Sequence, residues 1–332
     1  MINLPRHLRL KLYQLKKNRF ITQSKSKKKK KMPKTSREYI KKHVIRSLGG
    51  SDSYSRILKY VKKKSPSLWA KEKNEYFLEN NLILTIYKDT VGIGYKKIID
   101  ENKDWIGFSH NSLNHNVQQM RLVLADWGKK QIKIGDESLW NRNAKSISKI
   151  KELSSVNLWM DSTDVPLTTP RGTSKKDRYW SYKCNKLGRR FQLIFDGKSI
   201  CRGLYGGYSP KVHDSTWCEV NRTLLQSRYR KGVIISDCHY DSISKSNKDP
   251  IFICPKPNVP IELPKTSEND SIPLIKDIKR NKQIRNLRAK VENPFAQIKN
   301  KFKALSKPFK EGPEQQGALF CFAVGLHNHL NQ

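Results

Sequence analysis

Apolar positions change their spacing along the chain near residue 150. Before it they recur at helical intervals, and after it they gather into short runs closed by polar turns. From residue 36 to about residue 74, Tyr39-Ile40 with His43-Val44-Ile45, followed by Tyr54, Ile57, Leu58, Tyr60 and Val61, predict short helices. Leu82, Leu84, Ile86 and Tyr87 lead on to Tyr95 through Ile99, and a break follows at Asp104-Trp105-Ile106-Gly107-Phe108. Ser109 then offers an N-cap to a helix running through Leu113, Val117, Met120 and Leu122. Two short helices about a Gly-containing turn fit a helix-turn-helix, with Asn111, Ser112, Asn114, His115, Asn116 and Gln118 as base-reading or phosphate-touching groups. Any small helical bundle gives a similar pattern.

The second half reads as alternating strands and helices. Val156-Asn157-Leu158-Trp159-Met160 is short, β-favourable and closed by Asp161-Ser162-Thr163, as a buried strand is. Tyr179 to Asn185 and Arg190 to Asp196 predict two strands joined by a turn at Lys186-Leu187-Gly188, and Ile200 to Leu204 a further one. Asp214 or Ser215 can cap a helix over Trp217 to Leu225. Strands follow at Val233 to Asp237 and Ile251 to Cys254, then a Pro-rich loop from Pro255 to Pro273. Ile284, Leu287, Val291, Phe295, Ile298, Phe302 and Leu305 form one stripe at steps of 3 and 4. Pro294 either kinks that helix or restarts it, and the unbroken period favours a kink. Ala318 to Leu326 is a mostly apolar closing helix, expected in the core. The expected class is α/β, a mixed sheet flanked by helices. The chain divides into a disordered basic tail over 1–35, a small all-α region with the helix-turn-helix over 36–150, and a sheet domain over 151–332.

Charge narrows the chemistry. The 332 residues carry 67 Lys+Arg against 29 Asp+Glu, a formal net charge of +38. A polyanion partner is the simplest reason for such an excess. Residues 1–35 hold thirteen Lys and Arg and no acid, densest from Lys27 to Lys31, as in a nuclear localisation signal or a DNA-contacting arm. No apolar run reaches the roughly 18 residues of a membrane span, so no membrane partner is expected. Six cysteines without a CxxC pair favour free thiols over a zinc ribbon.

Within this cationic chain three acids stand out. Asp161 and Asp237 each end a buried strand, and Glu292 lies beside the apolar stripe of the long helix, flanked by Arg285, Arg288, Lys299 and Lys303. Carboxylates suit Mg²⁺, which takes oxygen ligands, and two such ions can activate a nucleophile and stabilise a leaving oxygen at phosphorus. In that reading Asp161 bridges both ions, Asp237 holds one and Glu292 the other. The four cations hold phosphates alongside. Asp164, Asp196, Asp214 and Asp241 are competing acids that spacing does not exclude.

Five motifs then carry a family likeness: Met160-Asp161-Ser162-Thr163, Tyr179-Trp180-Ser181-Tyr182-Lys183, Ser209 to Ser215, Ser236-Asp237-Cys238-His239-Tyr240, and Arg288 to Phe295. In this order they resemble the DDE endonuclease domain of Harbinger-type transposases and related bacterial insertion-sequence transposases, over about residues 155–329. The resemblance implies a ribonuclease-H-like fold, Mg²⁺ or Mn²⁺ as two ions, and cutting and joining of transposon ends. It places the catalytic and metal-holding acids on Asp161, Asp237 and Glu292. Trp180, Lys183, Asn111 and Asn114 join the four cations as expected nucleic-acid contacts. Double-stranded DNA of terminal repeats and target is the expected partner, with a homo-oligomer and a separate Myb-like DNA-binding partner as further expectations. The expected location is the nucleus in a eukaryotic host, otherwise the cytoplasm on DNA. Two other classes compete: a transposase-derived DNA-binding protein without catalysis, and a ribonuclease-H-like nuclease acting on junctions or RNA.

Overall fold

The computed structural model describes residues 37–64, 75–135, 137–140, 151–168, 179–245, 250–259 and 272–332. The basic segment 1–35 lies outside these described residues. Helices come first: α1 (Arg37–Ser47), α2 (Ser51–Lys64), α3 (Glu75–Val91), α4 (Tyr95–Glu101), α5 (His110–Gln131) and the single turn α6 (Glu137–Trp140). Tyr54, Ile57 and Val61 form the buried stripe of α2 that their spacing predicts. Ser109 caps α5, its Oγ accepting from the Ser112 N–H at 3.2 Å, a contact typically worth about 1 kcal/mol. At 22 residues α5 is longer than the short second helix expected. Leu122, expected on the buried stripe, is 36% exposed. The step from Met120 to Leu122 carries the side chain round to the opposite face of a helix, and Arg121 and Leu124 are buried instead.

Six strands follow: β1 (Leu158–Pro166), β2 (Trp180–Ser181), β3 (Lys186–Asp196), β4 (Cys201–Tyr208), β5 (Val233–Ile235) and β6 (Ile251–Ile253). The order is β2-β3-β1-β5-β6, with β4 also paired to β3. β3 pairs antiparallel with β1, β2 and β4, whereas β5 pairs parallel with β1 and β6 parallel with β5. The sheet is therefore mixed, as the strand pattern predicts. Three local expectations are corrected here. The turn before β3 spans residues 182–185 instead of 186–188: Asn185 takes the left-handed conformation (φ 49°) that closes it. Leu187 and Gly188 lie within β3, where the Leu187 carbonyl accepts from the Leu167 N–H. The helix expected over Trp217 to Leu225 is two, α7 (Asp214–Val220) and α8 (Arg222–Tyr229). Asn221 breaks it by turning its amide back onto the Trp217 carbonyl. The α7 cap is His213, not Asp214 or Ser215, with Nδ1 accepting from the Ser215 N–H.

After the short turn α9 (Asp241–Ser244) comes α10 (Ile272–Lys301), which runs unbroken through Pro294, and then α11 (Pro313–Asn331). Ile284, Leu287 and Ile298 of the predicted stripe are buried, Phe295 is partly buried, and Phe302 and Leu305 continue the core just past the helix end. The side chain of Val291 lies outside the described residues. One sheet face, with Trp159, Val165, Phe191, Leu193 and Phe195, packs under α10 and α11. The other, with Leu158, Met160 and Ile194, packs under α7, α8 and Tyr240.

α11 is apolar on nearly all sides because it lies between the sheet and α5. Phe320 meets Phe191 at 4.5 Å between ring centroids, and Phe322 meets Trp127 at 5.8 Å. The two helices close on each other through glycines: a Cβ on Gly128 would come within 2.6 Å of the Cys321 carbonyl oxygen, and one on Gly325 within 2.4 Å of the Gly128 Cα. At the entry to α11, Glu311 pairs with buried Arg121 and Lys88, and Arg121 also pairs with Asp89. Both helical region and sheet thus feed one core.

Candidate active site

Parallel pairing of β1 with β5 aligns Leu158 with Ile234 and Trp159 with Ile235. Two residues further on each strand path come Asp161 and Asp237, so the two acids stand side by side; Asp237 lies just past the end of β5, whereas the strand expected to close at Asp161 runs on to Pro166, because β3 keeps pairing with it after β5 has ended. Their side chains are 15% and 14% exposed. Asp161 stands opposite Leu193, on the sheet face covered by α10. The backbone fixes both acids locally: Asp161 Oδ1 accepts from the Ser162 N–H at 2.7 Å, and Asp237 Oδ1 from the His239 N–H at 2.8 Å.

α10 completes the arrangement. The Trp159 indole donates to the Leu287 carbonyl at 3.0 Å, which holds the helix over β1. Arg288 therefore reaches the acids, with Nη2 3.4 Å from Asp161 Oδ2 and 3.8 Å from Asp237 Oδ2. Burial raises the Asp161 pKa above the usual carboxylate value, Lys183 and Arg288 oppose that shift, and Asp237 adds to it. Glu292 sits in α10 one turn beyond Arg288. Its side chain lies outside the described residues.

β1 outruns its short parallel neighbour, and cations cap the carbonyls beyond. Lys183 Nζ donates to the Ser162 carbonyl at 3.2 Å and to Ser162 Oγ at 2.7 Å, while Lys299 Nζ donates to the Asp164 carbonyl at 2.9 Å. Burial holds Lys299 below the usual lysine pKa, with Asp164 opposing and Lys183 reinforcing. Arg288 and Lys183 thus stand by the acids, with Lys299 further along β1. Of the other expected contacts, Trp180 lies 37% exposed on β2, and Arg285 is half-buried on α10. Asn111 is exposed near the start of α5, and Asn114 there accepts from the Gln118 amide. Lys303 is exposed past the end of α10, its backbone against Gly92.

Three of the competing acids have structural partners. Asp164 pairs with Arg190, Nε to Oδ1 at 2.8 Å, and accepts from Ser181. Asp196 pairs with Arg202 and caps its own turn through the Lys198 and Ile200 N–H groups. Asp214 accepts from Ser162 Oγ at 2.9 Å and from the Gln192 amide at 2.8 Å. The side chain of Asp241 lies outside the described residues. Gln192 also accepts from the Tyr240 hydroxyl at 2.7 Å. Tyr240 ends the 3-10 turn that begins after Asp237, so this chain braces the second acid from the far side of the sheet. Sequence reasoning missed Gln192 and Tyr240. The signal was there in Gln192, an amide inside the apolar run from Phe191 to Phe195 that must find partners once buried.

A family model described as DDE superfamily endonuclease matches residues 160–328, just over half of the chain. The chain belongs to the DDE superfamily endonucleases. Comparison with curated proteins and with solved structures gives no match. The stretch matched by this family runs from the residue before Asp161 to within α11, so both acids and Arg288 fall inside it. Among the described residues, which leave out the Glu292 side chain, no group of three His, Cys, Asp or Glu stands together as a metal centre. Even so, the donors fit a hard divalent cation. They are two carboxylates with their outer oxygens turned to one point, and a positive group already lies against both.

Proposed function

We propose that the chain is a DNA transposase of Harbinger type, which cleaves phosphodiesters at transposon ends and joins the freed 3′-hydroxyl to target DNA. The carrying observation is the convergence of Asp161 and Asp237 beside Arg288, within a segment belonging to the DDE endonucleases. The strand order, with β1, β3 and β4 antiparallel and then β5 and β6 parallel to β1, one acid within β1 and the other just past β5, supports a ribonuclease-H-like assignment.

Asp161, Asp237 and Glu292 would hold Mg²⁺ or Mn²⁺, two ions in this reading. Bound there, the ions would supply activation of a water or 3′-hydroxyl and stabilisation of the leaving oxygen. The chain's own residues orient the DNA: Arg288, Lys183 and Lys299 offer positive charge to the phosphates next to the acids, with Arg285, Lys303 and Trp180 along the approach. The capped turn before α5, with Asn111 and Asn114 on its first turns, serves as the DNA-reading part of 36–150, and residues 1–35 as a basic arm. Synapsis of two ends calls for a homo-oligomer. A Myb-like partner for end recognition and a nuclear location in a eukaryotic host complete the reading.

The test is incubation of the full chain with duplex DNA carrying the element's terminal repeats and Mg²⁺. Cleavage at the repeat ends, abolished in Asp161→Asn and Asp237→Asn, is expected. Cleavage that persists in either variant rejects the assignment. The alternative, a transposase-derived DNA-binding protein without catalysis, draws support from Arg288 standing where a cation would bind. Salt-sensitive DNA binding with no metal-dependent cutting by the unaltered chain is its signature.

A further inference from the structure

The three cations along this part of β1 are held differently. Lys183 and Lys299 spend their ammonium groups on the carbonyls of Ser162 and Asp164, and Lys183 also lies 3.7 Å from Asp214 Oδ2. Arg288 alone among the described residues lies between Asp161 and Asp237, one nitrogen shared by the outer oxygen of each. These are the oxygens a divalent ion would take. The guanidinium therefore stands in for a cation, and both cannot be held at once.

We infer that Arg288 is a gate on metal loading, closed over the acid pair in the free protein and opened when a DNA phosphate draws the guanidinium away. This rests on the endonuclease reading of the acid pair above. The helix carrying Arg288 is fastened at the neighbouring residue by the Trp159 indole on the Leu287 carbonyl. Opening then needs only a swing of the long side chain, not movement of α10. Arginine suits the exchange because its planar fork binds carboxylate and phosphate with the same geometry. The guanidinium also brings one positive charge to the two carboxylates, where a divalent ion would bring two. The pair is thus held together, and a divalent ion gains the larger attraction once the guanidinium leaves. Coupling of this kind is reciprocal: DNA tightens the metal by the factor by which metal tightens DNA.

The experiment measures Mn²⁺ binding to the full chain by the loss of the free-ion electron paramagnetic resonance signal, with and without a duplex oligonucleotide and with a DNA-only blank. The unaltered protein is expected to bind Mn²⁺ at least tenfold more tightly with DNA than without. Arg288→Gln is expected to bind Mn²⁺ without DNA at least tenfold more tightly than the unaltered protein, with DNA adding little further. A second readout is thermal unfolding in EDTA: Arg288→Gln leaves the two carboxylates facing each other, so its midpoint falls, and Mn²⁺ restores it. Mn²⁺ binding lost in Asp161→Asn and Asp237→Asn but unchanged by Arg288→Gln overturns the gate and leaves the acid pair standing. Mn²⁺ binding that survives both Asp→Asn changes overturns the acid pair and the gate together.

Discussion

The Trp159 indole N–H donates to the Leu287 carbonyl at 3.0 Å, two residues before Asp161 on one side and one residue before Arg288 on the other. This bond joins the strand that bears the first acid to the helix that bears its counter-charge. Trp159→Phe removes the donor and leaves a gap where Trp159 is buried. A loss of about 1–3 kcal/mol is expected in urea unfolding, with a larger proportional loss of DNA cleavage because α10, which carries Arg288 and Glu292, is no longer fastened to the strand of Asp161.

Tyr240 offers a cleaner separation of positioning from stability. Tyr240→Phe keeps the buried ring and removes the hydroxyl that donates to Gln192 Oε1. The expected stability change is about 1 kcal/mol. Cleavage at saturating DNA should fall several-fold as the turn after Asp237 loosens, with the far-ultraviolet circular dichroism unchanged. Unaltered turnover would dismiss the brace.

Asp214 and Asp161 should respond oppositely to substitution. Asp214 is buried and takes hydrogen bonds from Ser162, Gln192 and Arg190. Removing it in Asp214→Ala strands part of the Arg190 charge, at a cost of roughly 3–5 kcal/mol. Asp161→Asn keeps the shape and one acceptor, so its midpoint should move little while cleavage vanishes. Thermal unfolding run beside a nicking assay checks both.

Acid should weaken the junction at α11 through Glu311. Burial pushes the Glu311 pKa up, but Arg121 and Lys88 outweigh it and hold the carboxyl below its usual value. A carboxylate depressed on folding adds stability above its unfolded pKa of about 4.3, and that stability is lost as pH falls through the lower folded value. Glu311→Gln should therefore lower stability at pH 7 and shrink the difference from the unaltered protein as pH drops below about 4. Urea unfolding at the two pH values measures it.

Much of the site's scaffold was legible in the sequence, because a short apolar run closed by Asp has few readings besides a buried strand with an acid at its end. Val233 to Asp237 folded that way, whereas the run from Val156 continues as strand through Asp161 to Pro166, because its pairing with β3 extends past the apolar residues. The parallel pairing that sets those acids side by side was not legible, since register between strands some seventy residues apart is fixed by the closed core and by no local spacing. Local backbone choices were misread for the same kind of reason. Asn185 rather than Gly188 closes the turn before β3, and His213 caps α7, because the winning residue depends on neighbours outside the window. Gln192 and Tyr240 act across the sheet, a relation that needs the β1–β3 register before it can be seen.

The glycine seam between α5 and α11 carries its own expectation. Gly128→Ala would force a methyl group against the Cys321 backbone, and overpacking of this kind costs about 1–3 kcal/mol. Differential scanning calorimetry should show the lowered midpoint. The same seam bears on how the protein can be divided. Phe322, Cys321 and Ala318 look for cover toward a helix that lies before residue 150, so a fragment trimmed to the endonuclease segment would come out of the ribosome with a greasy flank bare to water. Laboratories wishing to express the cutting half alone should expect inclusion bodies until the leading helices are restored.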